Sequence, residues 1–131
     1  MVIQRKDMPL QEVRNVRGGD GTLLKQIIAP AEPSVHLRLL CTFTIPNGGS
    51  IGPHPHEGEV EYYYILSGEG IVTEDGVESV VKPGDVSITG WGRVHSIRNE
   101  KDQDLVFMAI IPTEKCGVSH IACGKDTWYV G

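Results

Sequence analysis

Residues 48–68 read GGSIGPHPHEGEVEYYYILSG, with two histidines two residues apart and a glutamate five beyond the second, and the chain is best read outward from this stretch. In an extended strand, side chains two apart point to the same side, so His54 and His56 can offer their imidazoles to one point. Glu61 stands five residues past His56, which reverses that parity. A bulge or turn around Glu57-Gly58-Glu59 must restore its direction, and glycine is the residue type that permits one. His95, in GRVHSIRN at 92–99, brings a fourth group from a separate strand.

Three imidazoles and one carboxylate form a hard-to-borderline donor set, suited to one divalent Mn, Fe, Co, Ni, Cu or Zn ion. No thiolate belongs to the set, which argues against a structural zinc site. Four protein ligands on an octahedral ion leave two positions open. Those positions hold water at rest and can take two oxygens of a carboxylate, keto acid or vicinal diol.

On either side of this stretch, short apolar runs recur between Gly, Pro, Asn and Asp clusters, the pattern of an all-β sandwich or barrel. The clearest strand is 35–45, where Val35, Leu37, Leu39, Cys41, Phe43 and Ile45 take one face and His36, Arg38, Thr42 and Thr44 the other. Further strands are expected at 23–28, 61–66, 70–74, 77–82, 86–89, 94–98 and 105–111. Asp75-Gly76 can turn a tight hairpin, and Pro83-Gly84-Asp85 presets another turn. Eight or so short strands fit a jelly roll. Residues 105–111 read LVFMAII, so both faces of that strand should be covered, the outer one by a partner subunit or the N-terminal segment. Residues 1–20 and 112–131 are less periodic and read as peripheral arms, with one turn of helix near Pro9–Val13.

Composition narrows the function classes. The 131 residues suit one domain able to fold without disulfides or a structural metal, so a metal here serves function. A net charge of -5 with no basic run leaves no footprint for nucleic acid or an anionic membrane surface. No run nears a membrane span, and the N-terminal residues lack a signal-peptide apolar region, so a cytoplasmic location is expected. Three cysteines in that setting read as reduced thiols, with Cys41 a small core residue.

Together these residues carry a family resemblance. Gly48, His54, His56, Glu61 and Gly68 keep every spacing of the first cupin motif, G(x)5HxH(x)4E(x)6G. Gly84, Gly92, His95 and Asn99 match the second, with Gly90 where the family usually has proline. The resemblance implies a single cupin domain over residues 1–131: a double-stranded β-helix jelly-roll barrel. It also implies a metal held inside near one end by His54, His56, Glu61 and His95, and frequent homodimerisation.

Several other residues invite a role. Glu57 and Glu59 are candidate general bases, and Glu59 also competes with Glu61 as a ligand. Tyr63 shares the parity of Glu61 and can line a pocket, while Tyr62 and Tyr64 pack elsewhere. Arg38 is a candidate contact for an anionic substrate. Trp91 can close the pocket or shield an edge, and Gly18-Gly19-Asp20-Gly21 reads as a flexible loop. Cys116, His120 and Cys123 supply only three ligands and read as incidental; Trp128 and Tyr129 are expected to dock the tail. Two classes of function follow. One is a metalloenzyme that oxidises, decarboxylates or isomerises a small oxygenated metabolite. The other is a non-catalytic protein or sensor that captures a small acid on the metal.

Overall fold

The alternation of residues 35–45 becomes strand β3 (Leu37–Ile45), whose inward members Cys41, Phe43 and Ile45 are buried. The computed structural model describes residues 1–114; Cys116, His120, Cys123, Trp128 and Tyr129 lie outside the described residues. The other strands are β1 (Leu10–Arg14), β2 (Thr22–Ile27), β4 (Ser50–Pro55), β5 (Val60–Ser67), β6 (Gly70–Glu74), β7 (Val77–Val81), β8 (Val86–Gly90), β9 (Val94–Arg98) and β10 (Leu105–Pro112). They pair antiparallel in two sheets, ordered β1-β2-β3-β10-β5-β8 and β4-β9-β6-β7. This is the all-β jelly roll that the punctuated apolar runs and the two motifs imply. No helix among the described residues is long and apolar enough to cross a membrane.

The core lies between the sheets. Leu23, Cys41, Phe43, Tyr63, Ile65 and Phe107 from one face meet Ile51, Val72, Val81 and Ile97 from the other. Asn99 ties the frame together at one end. Its buried amide donates to the carbonyls of Ile45 and Gln103, both at 2.9 Å, and its oxygen accepts from the Lys101 N–H at 2.9 Å. Asp75 and Gly76, with φ of 46° and 84°, turn the β6–β7 hairpin as expected.

Four expectations change. Residues 10–14 form a strand, not a turn of helix: β2 offers an open edge, and its backbone partners outweigh weak local preference. The N-terminal segment is therefore part of the larger sheet, and Val13 and Val16 pack against the core. Gly18–Gly21 does not hang free, because Ser50 and Asp20 exchange two hydrogen bonds of 2.9 Å that dock the loop on β4. Finally, His36 does not share a strand face with Arg38. Pro33–Val35 form a 3-10 turn, and His36 closes it at φ 59°.

β10 buries Leu105, Phe107, Ala109 and Ile111, while Val106, Met108 and Ile110 on the outer face are only half-buried. Met108 stands between Thr42 and Tyr64, and Ile110 between Leu40 and Tyr62, so the uncovered row continues onto both neighbouring strands.

Candidate metal centre

The four motif residues reach one point from three strands and a turn. β4 is an edge strand, which is why Pro53 and Pro55 are tolerated around His54. His54 pairs directly across from His95 on β9. His56 follows in the connection to β5, where Gly58 at φ 68° reverses the chain and restores the inward direction of Glu61. All four side chains are buried, and one ligand atom from each lies within 4.8 Å of every other. The Nε2 atom of His95 is 3.1 Å from that of His54 and 3.0 Å from that of His56. The Glu61 Oε1 atom is 2.9 Å from His56 Nε2, 3.0 Å from His95 Nε2 and 3.7 Å from His54 Nε2.

The outer nitrogens explain the aim of the rings. The Nδ1 atom of His54 bonds to the Gly52 carbonyl at 2.8 Å, and that of His56 to the Glu59 carboxylate at 2.6 Å. With Nδ1 carrying the proton, each Nε2 presents a lone pair inward, as a metal ligand must. The His95 Nδ1 is buried with no partner, and its ring is held instead by stacking on Tyr63, with centroids 4.8 Å apart and planes at 17°.

The electrostatics agree with this donor set. Burial alone would raise the Glu61 pKa, but the imidazoles of His54, His56 and His95 packed around it hold it far below the carboxylate range. Burial pulls His56 down, but the two neighbouring carboxylates, Glu61 and Glu59, win and raise it; at His95 burial prevails over Glu61 and lowers it. Burial, reinforced by Glu61, raises Tyr63 well above its usual value, so its hydroxyl stays protonated. Burial also pushes the Cys41 thiol up to about 12, against the pull of Lys25, so no thiolate joins the set. The residues present suit a borderline divalent cation.

The remaining sequence candidates separate. Glu59 is not among the converging donors; it bridges His56 and Arg38, whose Nη1 lies 3.0 and 3.1 Å from its two oxygens. Glu57 is exposed, and neither it nor Trp91 lines the cavity above the donors. Tyr63 and Arg38 do line it, together with Arg17 and Lys25, in a space of about 200 Å³. Neither of the last two was anticipated. Lys25 was legible as a charge on the inward parity of Leu23 and Ile27, whereas nothing in the sequence marks Arg17. Replacing Glu59 by alanine is expected to weaken metal affinity about 10–100-fold, because the His56 ring loses its orienting acceptor. Competition titration with a chromogenic chelator reads the change.

Residues 41–111 match the family model described as "Cupin domain". The chain is 38% identical over 112 residues to the "Oxalate-binding protein" of Thermotoga maritima, covering 85% of this chain and 93% of that one. A solved structure from the same organism, described as a predicted oxalate decarboxylase, superimposes with a TM-score of 0.82 at 38% identity, over 86% of this chain and 99% of the other. The polyketide cyclase RemF of Streptomyces resistomycificus shares the fold at 20% identity and a TM-score of 0.68, over 86% of this chain and 78% of its own.

Proposed function

The chain belongs to the cupin family, and on that footing we propose that it holds one divalent transition-metal ion on His54, His56, Glu61 and His95 and captures a small carboxylate there. The observation that carries the reading is the convergence of four buried donors, three of which (His54, His56 and Glu61) line a small cavity together with cationic side chains. Two donors at right angles on an ion with bonds of about 2.1 Å stand about 3.0 Å apart, and tetrahedral neighbours about 3.4 Å. The Nε2 separations of 3.0 and 3.1 Å support the wider coordination sphere, with positions left for ligand. A bound ion supplies Lewis-acid attraction for carboxylate oxygens. About 200 Å³ has room for roughly seven to ten non-hydrogen atoms, at about 20–30 Å³ each. Oxalate is the first ligand to test, since a relative is named for binding it.

Capture is supported further than turnover. Among the described residues Glu61 is the only carboxylate lining the cavity and is itself a proposed ligand, Tyr63 holds its proton, and Glu59 is occupied by His56 and Arg38. No unengaged carboxylate among the described residues therefore stands ready as a general base. Metal analysis is expected to return about one ion per chain, and calorimetry to show oxalate binding that chelation abolishes. Oxalate binding unchanged by a chelator would overturn the reading, and sustained carbon dioxide release would make the site a decarboxylase. The half-buried outer row of Val106, Met108 and Ile110, continued by exposed Tyr64, Leu24 and Val86, supports a homodimer through this face. Sedimentation at micromolar concentration is expected to give twice the chain mass.

A further inference from the structure

The cavity is lined by more positive charge than the described residues neutralise. Arg38 is paired with Glu59, but Arg17 and Lys25 have no carboxylate within salt-bridge distance among the described residues. Lys25 sits on the inward face of β2, between Leu23 and Ile27, and is half-buried. Its cross-strand neighbours are Gln11 and Phe43, neither of them acidic, and its ammonium lies 5.8 Å from the Phe43 ring centroid. A lysine turned inward without a counter-ion gives up hydration, and a bound anion restores what it lacks.

The backbone of Arg17, an exposed residue at the cavity's rim, is fixed by an unusual turn. Asn15 and Arg17 both adopt left-handed backbone, at φ 48° and 54°, which side chains disfavour. Such conformations persist where surrounding structure enforces them, and they gather at ligand sites. Here β4 does the enforcing: any Cβ at Gly52 would collide with the Arg17 carbonyl, and any at Gly19 with the Ser50 carbonyl. The Gly52 carbonyl also accepts from His54, so the turn that carries Arg17 lies closely against the same residue that aims a metal ligand.

We propose that Lys25 and Arg17 form a second anion-reading contact in this cavity, which recognises the distal carboxylate of a metal-bound dicarboxylate and so selects dianions over monoanions. The inference rests on the carboxylate-capture reading above. A monoanion uses the metal alone, whereas a dianion uses the metal together with Lys25 and Arg17.

The test uses Mn(II)-loaded full-length protein and titrates oxalate and malonate against acetate and formate. Lys25→Met keeps the packing on Phe43, and Arg17→Asn keeps a residue that tolerates left-handed backbone. Each is expected to weaken oxalate and malonate about tenfold or more, and the double variant about 100-fold, since a hydrogen bond to a charged group is lost each time. Acetate and formate should change less than about threefold, and Mn(II) affinity measured separately should stay at the wild-type value. Equal weakening of mono- and dianions, or no effect on oxalate in the double variant, overturns the second contact while leaving metal-dependent capture intact. If metal-loaded wild-type protein binds none of the four anions, both readings fail.

Discussion

Replacing His95 with alanine is expected to abolish metal binding while the barrel stays folded. His95 stands 3.0 Å from the Glu61 carboxylate and 3.0 and 3.1 Å from the other two imidazoles, so its loss opens the donor set at its centre. Outer-shell partners alone are worth about 10–100-fold in metal affinity, and a direct ligand must exceed that. Without an ion, three Nε2 lone pairs and a carboxylate crowd one buried point, an arrangement that favours a cation more than the fold. The metal-free variant should therefore melt near the metal-free parent. The parent should gain about 2.7 kcal/mol with metal at 100 times its dissociation constant, and the variant almost nothing. His54→Ala should repeat the result. Full metal retention in both, by elemental analysis after desalting, would remove these residues from the site.

The pH dependence has a definite sign. Metal binding needs neutral imidazoles, and the raised pKa of His56 keeps its proton to higher pH than an ordinary histidine. Affinity should therefore begin to fall as pH drops from above 6.5, with His56 as the first competitor. His95, lowered by burial, takes up its proton later in the descent. Glu61 stays ionised throughout.

The residues that were legible in advance are those whose neighbours along the chain determine their surroundings. Cys41, Phe43 and Ile45 alternate with threonines, and Asp75-Gly76 meets a local steric demand, so strand and turn were readable. Strand β1 was not: Leu10 is largely exposed and Val13 only half-buried, and what makes the segment a strand is the edge of β2, which local sequence does not encode. The same divide runs through the cavity. His54 and His56 were paired by spacing alone, whereas Arg17 reaches the cavity's rim through a left-handed turn that lies closely against Gly52, thirty-five positions along. Glu59 reads from sequence as a candidate base or ligand because only the fold brings Arg38 and the His56 ring to its two oxygens.

Phe107→Ala is expected to do the reverse of His95→Ala: large destabilisation with the donor set kept. Phe107 is fully buried on β10, its ring 4.5 Å from that of Tyr63 and 5.6 Å from that of Phe43. Truncating such a ring costs about 3–5 kcal/mol, the transfer of the lost atoms plus the cavity they leave. Against a typical total of about 5–15 kcal/mol, that is about a fifth of the stability at the least. The melting point should fall by roughly 10–20 °C for a domain of this size. Phe107→Leu, which refills most of the volume, should cost roughly 1–2 kcal/mol by the same account. The consequence for the site is indirect, through Tyr63, which rests on Phe107 and stacks on His95. None of the four donors lies on β10, so metal affinity at a temperature where the variant is folded should drop less than about tenfold, below the loss caused by an orienting partner. Urea unfolding with and without metal separates the two contributions. A Phe107→Ala variant that loses under about 1 kcal/mol would mean that the two aromatic neighbours close the gap, and that the wall behind Tyr63 is not what fixes the His95 ring.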